Sequence, residues 1–326
     1  MLNEAIAKTR LVTVLGGSGF IGRHVVQALV KDGWRIRVGC RRPDLAVHLE
    51  AAGEPGQVTL AHVDLHHPRT IAAALEGANA AVNLVGILNE SGGQTFAAIM
   101  SRGARSVAEA VANAGITKFV HVSAIGAAKS SSSAYARSKA EGEAAVRELV
   151  PQAIILRPSI VFGPEDDFFN RFATMARLMP VLPLVGARTR FQPVFVDDVA
   201  QSIVLALDGR AVSGATYELG GPEVKTFHEL VRFVCDVTHR HRQIISLSFE
   251  TGKLMAIVTQ IASKLSLGLF PKLLTMTADQ VELLRHDNVV SNEARAAGRT
   301  FEALGLTPHP IDAIVPNYLR RERHPY

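Results

Sequence analysis

The chain has 326 residues, 48% hydrophobic and 20% charged, which excludes a disordered polymer and allows one large domain or two unequal ones around a sizeable core. Its two cysteines, Cys40 and Cys235, exclude a disulfide framework and fit a reducing compartment. The net charge of +5 favours acidic ligands or an anionic membrane surface, but no basic–aromatic pattern for nucleic acid, signal-peptide architecture or bilayer-spanning apolar run accompanies it.

The first element is Leu11-Val-Thr-Val-Leu15, an apolar and β-branched run that reads as a buried strand. It leads into Gly16, Gly19 and Gly22, after which His24 to Val30 take up helical spacing. Strand, glycine turn and helix in this order make a phosphate site. Gly16 permits the tight turn, Gly19 lets the backbone approach a diphosphate, and Gly22 lets the helix pack on the strand. Ser18, Phe20 and Ile21 lie in the same turn and complete the expected cradle.

Arg35 to Gly39 reads as a second strand, ending in Cys40-Arg41-Arg42. In a dinucleotide fold an acid here would bond the ribose 2′-hydroxyl of NAD. Two guanidiniums stand there instead and suit a 2′-phosphate, so NADP(H) is expected before NAD(H), unless both are solvated loop charges. Pro43 opens a helix to about Ala52. Val58 to Val63 is a third strand. Asp64 and Leu65 follow at its carboxyl end, where Asp64 either faces the adenine or caps the next turn.

Ala80 to Gly86 is a fourth strand, with Val85 and Gly86 at the end that a cofactor approaches. A helix is expected from about Thr95 to Asn113, and Lys118 to Val122 is a fifth strand. Strands alternating with helices imply a doubly wound parallel sheet of the Rossmann kind.

The fifth strand delivers Ser123 at the sheet edge where ligands bind. Tyr135 and Lys139, four residues apart, share one face of the next helix. A phenol serves as proton donor or acceptor once its anion is stabilised, and the Lys139 ammonium is expected to lower its pKa. Ser123 would hold a substrate carbonyl oxygen, with hydride arriving on the opposite side.

With these motifs the chain resembles a short-chain dehydrogenase/reductase of the extended or atypical type. The resemblance rests on the glycine triplet, Ser123, Tyr135, Lys139, Arg157-Pro158-Ser159 through Gly163-Pro164, and the segment Pro193 to Ala200. It implies that Pro158 and Ser159 line the nicotinamide. A narrower likeness is to the nucleotide-binding accessory subunit of respiratory complex I and its bacterial relatives. It is carried by Val161 to Phe172, Phe191 to Val196 and Asp279 to Val289. That likeness implies structurally held NADP(H), association with respiratory complex I and its quinone reaction, and a cytoplasmic site, peripheral on the inner face of a respiratory membrane. The alternative is a soluble NADPH-dependent reductase or epimerase of a small carbonyl or sugar-nucleotide substrate, because Tyr135 and Lys139 are intact.

In the second half, Ile154 to Leu156 is a sixth strand, and Asp166 or Asp167 caps a helix beginning near Phe168. Phe191 to Val196 is expected to return to the sheet, and Asp198 to cap the helix that runs to Leu207. Thr226-Phe-His-Glu229 is a capping box opening a helix to about Thr238. His239 and His241 have no third metal ligand at suitable spacing and read as a basic turn, so no metal is expected.

From 253 to 274, Leu254, Met255, Val258, Ile261, Ala262 and Leu265 share one helical face, opposite Lys253, Gln260 and Lys264. This is either a core-facing or lid helix, or a cationic amphipathic surface for a membrane or partner. The basic tail 320–326 fits either. The expected division is a dinucleotide domain over 9–163 with a return segment at about 190–222, and a smaller, mostly helical domain from 164–189 and 223–326.

Overall fold

The computed structural model describes residues 10–265 and 276–319, with the backbone alone for 260–265. Seven parallel strands form the main sheet. In chain order these are β1 (Leu11–Leu15), β2 (Arg35–Cys40), β3 (Val58–His62), β4 (Ala80–Asn83), β5 (Lys118–Val122), β6 (Ile154–Pro158) and, late in the chain, Thr216–Leu219. Their spatial order places the late strand beside β6, followed by β5, β4, β1, β2 and β3. The order reverses between β1 and β4, and the crevice at that reversal is where open α/β sheets bind ligands.

The period-2 geometry of strands explains the two-sided core. Val12 and Val14 face one helical layer, which includes α1 (Phe20–Lys31) through Val25, Val26 and Leu29. Leu15, Ala81, Phe119 and Ile155 face the other. That second layer contains α2 (Pro68–Leu75), α3 (Gly103–Asn113) and α4 (Ala134–Leu149). Thr13, pointing into this layer, satisfies its buried hydroxyl by donating to the Ala74 carbonyl (2.7 Å).

After β6 come β7 (Val161–Phe162), α5 (Phe168–Leu178), β8 (Val181–Val185), β9 (Arg190–Phe191), β10 (Val194–Phe195) and α6 (Val196–Leu207). The late sheet strand is β11, and β12 (Lys225–Thr226), α7 (Phe227–Val237), β13 (Gln243–Leu247) and α8 (Phe249–Leu265) follow. The chain continues through α9 (Ala278–Leu283), α10 (Asn292–Ala296) and α11 (Ile311–Leu319). A second apolar cluster joins Phe162, Phe169, Leu184, Phe227, Leu230 and Val315.

Four local expectations change. Pro43 to Ala52 forms two 3₁₀ turns, not one α-helix. The π-helical segment Ala97–Arg102 precedes α3. Phe191 to Val196 does not re-enter the main sheet: β9 pairs with β12 and β10 with β7, and the place beside β6 goes to β11. Asp198 lies inside the first turn of α6, not at its cap, and its carboxylate accepts from the His309 backbone N–H (2.8 Å) and meets the His309 ring at Nδ1 (2.7 Å). The capping box at Thr226 and Glu229 is present with both of its hydrogen bonds.

Candidate functional site

The glycine turn sits at the β1–β4 reversal. Gly16 has φ +80°, a left-handed conformation that glycine adopts without a Cβ penalty, and a β-carbon there would press on the Val85 backbone at 3.1 Å. A β-carbon at Gly22 would lie 2.5 Å from the Gly17 α-carbon and closer still to the Gly16 carbonyl oxygen, so only glycine allows this contact. Gly19 is the N-cap of α1, and no side chain caps the helix. The first N–H groups of α1 therefore keep their donor capacity for an anion. Ser18 is held by its carbonyl, which accepts from Arg23 Nη1 (2.9 Å), while Phe20 and Ile21 turn into apolar packing. These residues fit the diphosphate of a dinucleotide.

At the end of β2, Arg42 grips Asp44 through two bonds, Nε to Oδ1 (3.0 Å) and Nη2 to Oδ2 (2.8 Å). Arg41 is exposed, and its guanidinium has no hydrogen-bond or ion-pair partner among the described residues. Asp64 uses Oδ1 to accept from the His66 backbone N–H (3.0 Å), as a turn-capping carboxylate does, and this holds its pKa below the usual range. Leu65 and Val85 pack together with Phe96, Ile99 and Met100 beside the crevice.

The other end of the crevice is built on β5 and α4. Ser133 caps α4 by accepting from the Ala136 N–H (3.2 Å), which sets the helix so that Tyr135, Lys139 and residue 143 fall on one face. Lys139 is buried and donates from Nζ to the Val122 carbonyl (3.2 Å), at the strand end that carries Ser123. A β-carbon at Gly86 would stand 3.5 Å from that ammonium, so Gly86 lies beside Lys139. Burial pushes the Lys139 pKa down to about 8, against an opposing pull from Glu143. Ser123 is buried, and its Oγ finds no hydrogen-bond partner of good geometry among the described residues. The same hydroxyl interacts with the buried Glu143 carboxylate and helps to hold its pKa down, which joins Ser123 to the charged network behind it.

Tyr135 packs edge-on against Phe96, with ring centroids 5.6 Å apart. Its phenol is pushed up to about 12, first by burial and then by the negative charge of Asp279. The expected lowering by Lys139 is therefore reversed: burial and Asp279 dominate. At neutral pH this phenol is protonated, the state needed to donate a proton.

Behind these groups lies a charged network that the spacing argument missed. Glu143 is fully buried and receives Arg157 through Nε (2.8 Å) and Nη2 (2.7 Å), with Arg147 at 3.1 Å. Burial raises the Glu143 pKa, but its bonds and charge interaction with Arg157 outweigh that and hold it below the usual carboxylate range. His121, also buried, accepts at Nδ1 from Asn83 Nδ2 (3.1 Å), and burial drives its pKa down to about 3. Glu143 was findable, four residues beyond Lys139 on the same helical face. His121 was findable as a histidine two residues before the strand-end serine.

Residues 277–290 bring further polar groups to the same edge. Asp279 accepts from Ser133 Oγ (2.8 Å) and from the N–H groups of Ala134 (2.6 Å) and Tyr135 (3.3 Å). The Ser159 hydroxyl, expected to line the nicotinamide, donates to the Asn288 side-chain oxygen (2.6 Å), which also accepts from the Ile160 N–H (3.0 Å). Pro158 is buried at the end of β6. Asp167 stands at the N-cap position of α5 without a side-chain bond there, while Asp166 supplies the bond by accepting from the Phe169 N–H (2.5 Å), and Tyr318 Oη donates to Asp166 (2.6 Å). Among the described residues no cluster of metal-ligating side chains occurs, and no helix is long and apolar enough to cross a membrane.

Residues 12–220 match the model of the NAD dependent epimerase/dehydratase family. The chain is 35% identical over 318 residues, 96% of its length and 78% of the relative's, to NADH dehydrogenase [ubiquinone] 1 alpha subcomplex subunit 9, mitochondrial, of Arabidopsis thaliana. It is 35% identical over 194 residues, 60% of each chain, to a ceramide reductase of Caulobacter vibrioides. An NADPH-dependent quinone oxidoreductase from Escherichia coli, solved with NADPH, superposes with a TM-score of 0.72 at 18% identity, covering 96% of this chain and 100% of that one. The protein belongs to the NAD dependent epimerase/dehydratase family, has its NAD(P)-binding fold, and is a relative of the complex I alpha subcomplex subunit 9.

Proposed function

We propose that this family member holds NADP(H) across the carboxyl edge of its sheet, as a retained nucleotide, in a protein that associates with a complex I-type assembly at a respiratory membrane. The observation that carries the nucleotide choice is the arrangement at the end of β2. Asp44 is the carboxylate nearest in sequence to the ribose position, and Arg42 occupies both of its oxygens, while Arg41 stays exposed. A 2′-phosphate meets a guanidinium there; a bare 2′-hydroxyl would meet no open acid.

Retention is supported by the polar stitching of 277–290 over the edge where a carbonyl substrate would enter. The relative's name, a subunit of the NADH dehydrogenase that uses ubiquinone, supports the association. So does α8, where Leu254 (65% exposed), Val258 (56%), Met255 and Ile257 form an apolar outer face, while Ala256 turns inward. The rest of the amphipathic stretch, 266–274, and the basic tail 320–326 lie outside the described residues.

A second reading, a reductase, is favoured by the Ser123 hydroxyl at the strand end that Lys139 binds, with the protonated Tyr135 phenol on the same helix as Lys139. The ceramide reductase among its relatives shows that a reductase name occurs in this circle of sequences. The nicotinamide would supply hydride when bound. Ser123 would hold the carbonyl oxygen, and Tyr135 would donate the proton from Oη.

Titration of the purified protein with NADPH and NADH tests the nucleotide assignment. NADPH should bind more tightly, and Arg41→Ala should weaken NADPH by roughly 10-fold to 100-fold while leaving NADH unchanged. Equal loss for both nucleotides, or a wild-type preference for NADH, overturns it.

A further inference from the structure

The segment from Thr277 to Val290 crosses the ends of three consecutive strands. Gln280 Nε2 donates to Asn89 Oδ1 (3.2 Å) in the loop after β4. Glu282 accepts from Ser132 Oγ (2.7 Å), and Asp279 takes three donors at the start of α4, both in the connection after β5. Asn288 closes the far side on Ser159 and Ile160 after β6, and its amide donates to the Ile125 carbonyl (3.3 Å). Leu284, between them, accepts from Thr189 Oγ1. These loops are the walls of the crevice in which a family member lays the nicotinamide end of its dinucleotide.

The stitches are unequal. Those of Gln280 and Glu282 are exposed and exchange readily with water. Asp279 is a carboxylate set against the first N–H groups of a 16-residue helix, with two backbone donors and one hydroxyl in a partly buried place. Charge-assisted bonds at a helix N-terminus are the stronger kind. The residues that donate to it immediately precede or include Tyr135.

We propose that Asp279 is a positioning residue that latches the 277–290 strap onto α4, fixing Tyr135 and closing the nicotinamide end, so that release of the dinucleotide requires the latch to open. The proposal deepens the reading of the protein as a holder of NADP(H) and rests on it. The strap also packs on α8, where Val281 joins Ala256 in a cluster with Val185 of β8 and the Arg285 guanidinium stacks over Phe249 at 4.6 Å. The apolar outer helix is thus joined mechanically to the helix that carries Tyr135.

The test uses the full chain loaded with NADPH, whose release is followed by fluorescence after adding excess NADP⁺. Asp279→Asn keeps the shape and removes the charge. It should speed release about tenfold and raise hydrogen exchange at the Ala134 and Tyr135 amides. The double variant Gln280→Ala/Glu282→Ala, which cuts only exposed stitches, should speed release by about twofold to threefold. An unchanged release rate with unchanged amide protection in Asp279→Asn overturns the latch. If that variant does not fold, release from the double variant decides: a rate equal to wild type overturns the strap's role. Failure of the wild-type protein to take up NADPH would overturn the nucleotide reading instead, and the amide exchange would still judge the latch on its own.

Discussion

The two ends of the crevice are made in opposite ways. The glycine end is backbone geometry within one short stretch: a positive φ at Gly16, a missing β-carbon at Gly22 and an uncapped helix. The other end is side-chain chemistry gathered from far apart, with Ser123, Lys139, Glu143, Arg157, Asp279 and Asn288 drawn together by four different connections. A diphosphate needs only N–H groups and close approach, so a local turn suffices. A proton donor and its neighbours need fixed orientation and compensated charge, which take a surrounding shell.

Two substitutions sharpen this contrast, and both can break it. The larger effect is expected from Glu143→Ala, which leaves the Arg157 guanidinium facing a buried space without its bidentate partner. Removing one partner of a buried pair costs about 3–5 kcal/mol, and the lower part of that range applies because Arg157 keeps some water contact. Chemical denaturation should show this loss, while the folded fraction still binds dinucleotide at the glycine end. A loss under about 1 kcal/mol would mean that the network is not a shell on which this end depends.

Gly22→Ala should act the other way round. Its new methyl group collides with the Gly16 and Gly17 backbone, which cannot retreat as a flexible side chain can. Overpacking of this kind costs about 1–3 kcal/mol, and dinucleotide binding should be lost with it. Amide protection at the start of α4 should stay as in the wild type. Retained binding, or loosening of α4, would show that the two ends are not separately built.

This contrast also governs what the sequence made legible. The order of strands and helices, the glycine turn, the Thr226 capping box and the shared face of Tyr135 and Lys139 all follow from periodicity and short spacing. Failures came where partners are remote. Asp198 has the look of a helix cap, but His309, more than 100 residues on, claims its carboxylate. The resemblance implies that Ser159 lines the nicotinamide, and what it could not reveal is that Asn288, from the far end of the chain, holds its hydroxyl. The spacing of Tyr135 and Lys139 suggests a pair in which the ammonium lowers the phenol pKa, whereas burial and Asp279 raise it. Spacing reveals which side chains share a face; it does not reveal what arrives opposite them from the end of the chain.

The most direct test of the account is to purify the protein natively, identify the nucleotide that accompanies it, and follow that nucleotide's oxidation state through dialysis and a panel of carbonyl compounds. The account predicts NADPH that survives dialysis and is not consumed by the panel. Accompanying NAD(H) would contradict the assignment of Arg41, and NADPH that exchanges freely and is oxidised by one carbonyl would contradict retention and make the protein a reductase using Ser123, Tyr135 and Lys139.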